Sequence, residues 1–209
     1  AFHGILSVVA AAPPSRMTER VGRSGTTKNH MIEIRIHGRG GQGVVTAAEL
    51  IAIAAFKDGK QAQAFPSFGV ERTGAPVESF ARIDERPIII RQQILEPDVL
   101  IIQDPTLLDT VDVTKGCGKK TLVIINSAKT KTELKINLPE NNIHIIDATK
   151  IALKIIGKNI VNTVILSAFA KATGLITLMS LKKAIEEKFA GQPNLIAKNI
   201  KAIEQAYNP

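Results

Sequence analysis

Four glycines, one arginine and one glutamine occupy six consecutive positions, Gly38, Arg39, Gly40, Gly41, Gln42 and Gly43, within "EIRIHGRGGQGVVTAAELIAIAAFKDG". Gly38, Gly40 and Gly43 satisfy the spacing G-x-G-x-x-G, with a strand pattern before and a helix pattern after. Glycines permit positive φ and close backbone approach, and the first amides of a helix beginning near Val44 are free donors beside the positive end of its dipole. An anion near Gly41 to Val44 is stabilised by that arrangement. Arg39 and Gln42 add polar side chains that have no evident packing duty in such a loop, so they are expected to clamp a carboxylate, a phosphate or a neighbouring chain.

Three readings of the loop compete. A dinucleotide site needs an acidic residue about 20 positions on for the ribose hydroxyls, and the next strand, "QAQAF", ends without a carboxylate. A mononucleotide P-loop closes on Gly-Lys-Ser/Thr, whereas this loop closes on Gly43-Val44-Val45, which excludes it. The third reading is structural: the glycines make a tight turn and let the helix pack closely on the sheet.

A second unusual stretch is "AFPSFGVERTGAPVESFARI", Ala64 to Ile83. Ser67, Glu71, Arg72 and Thr73 lie between Pro66 and Pro76, with Phe65 and Phe68 as apolar anchors. In a right-handed βαβ unit this loop leaves the sheet at the same carboxyl edge as the glycine loop, so the two are expected to be neighbours.

The elements that must carry these loops follow from periodicity. "IEIRIH" alternates as a strand, Val44 to Phe56 reads as a buried helix, and "QAQAF" at 61–65 as a short strand. "VESFARI" at 77–83 and the following "IIIRQQ" read as a hairpin turned by "DERP". "DVLIIQD", "TLVIIN" and "NIHIID" are apolar runs ending in Asp104, Asn126 and Asp147, the appearance of parallel strands opening toward a ligand crevice. "TLLDTV" is a helical turn. Helices are expected over 148–156, 162–173, 180–189 and about 194–206, with Asn162 and Ser180 as N-caps and Gly157, Gly174 and Gly191 as stops. The expected fold is α/β, three-layer α/β/α with a mostly parallel (mixed) sheet in a single domain over 31–209. Residues 1–30 read as an N-terminal extension outside it.

Composition narrows the chemistry. The 209 residues carry one cysteine, Cys117, and four scattered histidines, so no metal site is expected and no internal disulfide is possible. A reducing, cytoplasmic setting is the simpler expectation. The net charge of +8 is unevenly placed, with Arg16, Arg20, Arg23 and Lys28 against Glu19 in residues 1–30, and the lysines strewn through Lys115 to Lys201 lack aromatic interleaving, which argues against a nucleic-acid partner. No apolar run approaches the ~20 residues of a membrane span.

Taken together, "GRGGQGVVTAAELIAIAA", "AFPSFGVERTGAPVESFARID" and "PDVLIIQDPTLL" resemble the gamma subunit, or the corresponding domain, of the 2-oxoacid:ferredoxin oxidoreductases, most of all the pyruvate:ferredoxin (pyruvate synthase) type. The likeness runs from about Met31 to Tyr207 and includes the late helices. It implies a subunit of an enzyme that decarboxylates a 2-oxoacid on thiamine diphosphate and transfers the acyl group to coenzyme A. Electrons then pass through iron–sulfur clusters to ferredoxin. By the same resemblance thiamine diphosphate, magnesium and the clusters belong to partner alpha, beta and delta-type subunits, this chain has no catalytic residue and is inactive alone, and coenzyme A is a shared ligand. Gly38 to Gly43 with Arg72 and Thr73 are then the candidate contacts for coenzyme A or for the thiamine-binding subunits. The family often has Arg-Gly-Gly where this chain has "RTGAP", which puts a hydroxyl at Thr73. A stand-alone Rossmann-like nucleotide sensor and the beta subunit of indolepyruvate:ferredoxin oxidoreductase remain as alternatives.

Overall fold

The computed structural model describes residues 31–67 and 73–208. Strand β1 (Ile32–Arg39) is followed by helix α1 (Val44–Lys57), β2 (Gln61–Pro66), β3 (Pro76–Asp84), β4 (Val99–Ile102), β5 (Leu122–Asn126) and β6 (Ile143–Ile146). Four helices complete the chain: α2 (Ala148–Ile155), α3 (Asn162–Thr173), α4 (Leu178–Lys188) and α5 (Pro193–Tyr207). A 3-10 turn spans Pro105–Asp109 after β4, and a second, Glu140–Asn142, precedes β6.

The strands form one six-stranded sheet in the order β2-β3-β1-β4-β5-β6. β1, β4, β5 and β6 are parallel, and β3 runs antiparallel to both β1 and β2. β2 therefore runs in the same sense as β1, and the chain leaves both strands at one rim of the sheet. That geometry, set by the α1 crossover, brings the glycine loop and the segment after β2 to the same edge.

Alternation along each strand sorts side chains between two cores. Ile34 and Ile36 of β1, Ile101 of β4 and Ile124 of β5 face the helices, whose buried residues Leu50, Ile51, Ile165, Phe169, Ile185 and Ile203 complete that cluster. Leu100, Ile102, Val123 and Ile125 face the other way and pack beneath Leu107, Val113 and Leu134, from the 3-10 turn and the ordered segments that follow. The α/β class and single sheet agree with the expectation. Among the described residues all five α-helices contribute to one face, while a 3-10 turn and extended segments make the opposite layer.

The hairpin expected from "VESFARI" and "IIIRQQ" does not form. β3 is already paired on both edges, by β1 and β2, so no ladder is open to a second arm. The segment 86–97 instead crosses the opposite face as a strap. Arg82, 1% exposed on β3, donates to the carbonyls of Ile90 at 3.4 Å and Gln92 at 2.6 Å, and its Nε binds Glu33 at 2.8 Å. Arg35 on β1 donates to the carbonyls of Leu95 at 3.2 Å and Val113 at 3.0 Å. Two buried guanidinium groups thus satisfy strap carbonyls that no strand partner reaches.

Two caps also differ. Thr177, with its hydroxyl accepting from Ser180 N at 3.0 Å, caps α4, so the helix starts before Ser180. Asn162 is already the first helical residue of α3, and its Nδ2 reaches back to the Gly43 carbonyl at 3.4 Å. The stops at Gly157, Gly174 and Gly191 all have positive φ, as helix-ending glycines require.

Candidate functional site

The site begins at the end of β1. Gly40 N donates to Ala75 O at 2.9 Å, Gly74 N donates to Gly40 O at 3.1 Å, and Gly40 forms a bridge with Thr73. The two loops that the sequence singles out are therefore hydrogen-bonded neighbours. Arg72, Glu71 and Phe68 lie outside the described residues. Thr73 and the glycine loop line a shared cavity of about 420 Å³ with Arg39, Val44, Val45 and Thr46.

That cavity opens on the N-terminus of α1. The helix is capped by Gly43, which offers no side-chain acceptor, and its first turn contains no acidic residue. Its leading amides are consequently available to an anion, with the positive end of the helix dipole behind them.

The glycines also have structural duties. A Cβ at Gly38 would lie 2.6 Å from Val44 Cγ2, and one at Gly43 would lie 2.3 Å from Asn162 Nδ2, so both permit close packing of helices on the strand end. Gly43 and Gly41 have φ of 72° and 91°. At Gly41 the space is open and only the backbone conformation demands glycine.

The side chains of Arg39 and Gln42 correct an expectation, because both are engaged within the fold. Gln42 Oε1 accepts from Arg39 N at 2.8 Å and its Nε2 donates to Asp104 Oδ2 at 2.8 Å. Arg39 donates to Gly74 O at 3.0 Å and Thr106 Oγ1 at 2.9 Å, with Nε 3.3 Å from Asp104. Arg39 thus staples the ends of β1 and β4 to the second loop, and only part of its guanidinium edge faces solvent. The strand-ending residues are spent as well: Asp104 caps the 3-10 turn, Asp147 caps α2, and Asn126 binds Gln103 O and Thr149.

Asp104, singled out in the sequence only as a strand end, is the residue that fixes the loop's side chains. Its signal was an Asp directly before Pro-Thr at a strand end, an N-cap pattern. Burial alone would raise its carboxyl, but hydrogen bonds from Thr106 and Gln42, with Arg39 beside them, hold it below the usual carboxylate range. It remains an anion that fixes the loop.

Behind the rim, His37 is 3% exposed, and burial, then the nearby Arg35, holds its pKa down at about 3. Its contact with Glu78, 3.6 Å from Nδ1, is therefore that of a neutral imidazole, not an ion pair. Among the described residues no group of three or more His, Cys, Asp or Glu converges as a metal site. Burial pushes the Cys117 thiol up, and its Sγ sits 3.8 Å from Arg35 Nη2. These residues do not fit the ligand set of an iron–sulfur cluster.

Residues 33–208 match the family model described as pyruvate ferredoxin/flavodoxin oxidoreductase. The chain belongs to that family. Its place there is that of the gamma subunit of a 2-oxoacid:ferredoxin oxidoreductase, an oxidoreductase component. It is 57% identical over 180 residues to the pyruvate/ketoisovalerate oxidoreductases common subunit gamma of Thermococcus kodakarensis, covering 85% of this chain and 96% of that one. With the pyruvate synthase subunit PorC of Methanocaldococcus jannaschii it shares 53% over 178 residues, with the same coverage. The crystal structure of the pyruvate oxidoreductase subunit PORC of Thermotoga maritima superposes with a TM-score of 0.73 at 36% identity, over 85% of this chain and 95% of that chain. A 2-oxoglutarate:ferredoxin oxidoreductase from Magnetococcus marinus shares the fold, with a TM-score of 0.67 at 21% identity over 84% of this chain, but the match spans 30% of that longer polypeptide.

Proposed function

We propose that this gamma subunit works within a complex that oxidatively decarboxylates pyruvate or a related 2-oxoacid to an acyl-coenzyme A, and that the rim at the end of β1 serves its coenzyme A side. Partner alpha, beta and delta-type subunits carry thiamine diphosphate, magnesium and the iron–sulfur clusters and hand electrons to ferredoxin. The relatives' names support that setting, and a cytoplasmic location fits a chain whose described helices are too short or too polar to cross a membrane. The folded unit is residues 31–209, with residues 1–30 as an extension.

The observation that carries the reading is the Gly40–Thr73 bridge, which joins the two loops over the uncapped N-terminus of α1. Gly38, Gly40, Gly41 and Gly43 shape the backbone there. Arg39 and Gln42 hold its form through Asp104, Thr73 extends it, and Arg72, next to Thr73 in the sequence, is the proposed cationic contact. A phosphate seated at the α1 amides meets backbone donors first and arginine second. Where the rim instead meets a thiamine-binding subunit, the same donors give hydrogen bonds to that subunit's carboxylates or carbonyls. No side chain of the rim performs a chemical step, and the subunit's contribution is to bind and orient.

The test uses the assembled enzyme carrying Arg72→Glu or, separately, Thr73→Val, with coenzyme A titrated in 2-oxoacid-dependent dye reduction. Charge-assisted hydrogen bonds contribute ~1.5–3 kcal/mol, so loss of the arginine should raise the apparent KM for coenzyme A about tenfold or more. An intact KM with weakened assembly assigns the rim to subunit docking. Unchanged KM and unchanged assembly reject both versions.

A further inference from the structure

The far end of the sheet carries a feature that the coenzyme A reading does not use. Among the described residues β6 is an edge strand, paired only with β5, and its sequence Ile-His-Ile-Ile contains neither a charge nor a proline that would blunt it. Ser127 N donates to Ile146 O at 3.0 Å, so Ile146 and, two residues back, His144 direct their backbone groups at β5. Ile145 turns its N–H and C=O outward, and Ile143 its C=O, while Ile143 N closes the preceding 3-10 turn on Glu140 O.

Beside that edge lies a groove of about 880 Å³ between β6, α2, α3 and α5. Its floor is apolar, with Ile146, Ile151, Ala168 and Ala172, and its rim is cationic, with Lys150 and Lys154 from α2 and Lys171 from α3. Acidic neighbours are already committed: Asp147 caps α2, and Glu204 pairs with Lys182. His144, on the groove wall, has its pKa lowered by burial and then by Lys131, which lies outside the groove lining. The lysines stand on helices across the groove, so they leave the strand's own backbone open. All three rim lysines are exposed, and none is buried and converged as a small-anion site requires.

We infer that the outer edge of β6 accepts an extended acidic segment of a partner subunit, paired to the N–H and C=O of Ile145 and the C=O of Ile143, with its carboxylates on Lys150 and Lys154. An added strand satisfies the edge backbone, apolar side chains of the segment fill the groove floor, and its charge is the complement of the rim. The chain's own residues 1–30 fit poorly, because they carry Arg16, Arg20, Arg23 and Lys28 against Glu19. The inference rests on the subunit's membership of a larger complex and not on the rim at β1, which lies three strands away.

Amide exchange of the segment 142–147, followed by mass spectrometry in the assembled enzyme and in the isolated full chain, tests it without mutation. The expected result is at least tenfold slower exchange of the outward Ile145 amide in the assembly only. Carbodiimide crosslinking should join Lys150 or Lys154 to an Asp or Glu of a partner, and Lys150→Glu with Lys154→Glu should weaken assembly at least tenfold at low salt while the coenzyme A KM of what assembles stays unchanged. Exchange in the assembly equal to that of the isolated chain overturns the inference and leaves the lysines as solvated guards of the edge. Protection already present in the isolated chain also overturns it, assigning the edge to a second copy if it depends on concentration, or to residues 1–30 if their deletion removes it.

Discussion

Arg39 Nε lies 3.3 Å from Asp104 Oδ2, a contact that joins the end of β1 to the end of β4 at the mouth of the glycine loop. The same carboxylate receives Gln42 Nε2, and its other oxygen accepts from Thr106 N at 3.0 Å. Replacing Asp104 by Ala removes a cap and the acceptor for two loop side chains, a loss of ~1–2 kcal/mol. The thermal midpoint should fall by several degrees and coenzyme A titrations should shift with it. Because the folded pKa is depressed below 3.8, the wild-type advantage is present at higher pH and is lost as pH falls through the folded value. An Asp104→Ala chain as stable as wild type at neutral pH would show that the contact is ornamental.

Gly41 and Gly43 separate conformational from steric demand. At Gly41 a methyl meets nothing within 4 Å, so Gly41→Ala should cost only the backbone strain of φ 91°, ~1 kcal/mol. At Gly43 a methyl would collide with Asn162 at 2.3 Å in addition to the positive φ, so Gly43→Ala should be destabilising by at least twice as much in chemical unfolding. Adding Asn162→Ala to Gly43→Ala should recover the steric part and leave the φ part. No recovery in the double variant would place the whole penalty in the backbone.

Arg82 is 1% exposed and serves Glu33, Gln63 and two strap carbonyls, while its guanidinium stacks 5.0 Å from the Phe65 ring centroid. Arg82→Met keeps the apolar stem but strands these acceptors, and losing one partner of a buried pair costs ~3–5 kcal/mol. The strap should loosen before the sheet does. Limited proteolysis between residues 86 and 97 should become rapid in the variant while the β4–β5 amides stay protected, and uniform loss of protection would argue against a separately held strap.

The β1-loop-α1 unit and the four late helices were legible from local periodicity and caps, and the three parallel strands from short apolar runs ending in Asp or Asn, since all of these signals are local. So was the adjacency of the two loops, since β1 and β2 share a direction. The strap was not legible: "IIIRQQ" has strand composition, and only the pairing of both β3 edges denies it a partner. The role of Arg39 was hidden for a similar reason. Its acceptors, Asp104, Thr106 and Gly74, lie 35 to 67 residues away, and spacing within a loop carries no trace of them. Likewise the capping of α4 was hidden because it runs through Asp58, 119 residues from Thr177: the Asp58 carboxylate accepts from Thr177 N, Thr177 Oγ1 and Ser180 Oγ and fixes both residues at the helix start.

His37 should set part of the acid limb of stability. Folded, it stays neutral down to about pH 3, whereas unfolded it titrates near 6.5. Between those values the unfolded chain binds a proton that the folded chain refuses, so stability falls as pH is lowered through that window, by up to ~1.4 kcal/mol per pH unit. Above pH 6.5 the group contributes no slope. His37→Gln keeps a polar side chain at the end of β1 but cannot titrate, and its unfolding free energy should be flatter from pH 6.5 to 3 than that of the wild type. Urea titrations of both chains at pH 7, 5.5 and 4.5 measure the difference, and parallel curves would mean that His37 is protonated in the folded state, with Glu78 as its counter-ion.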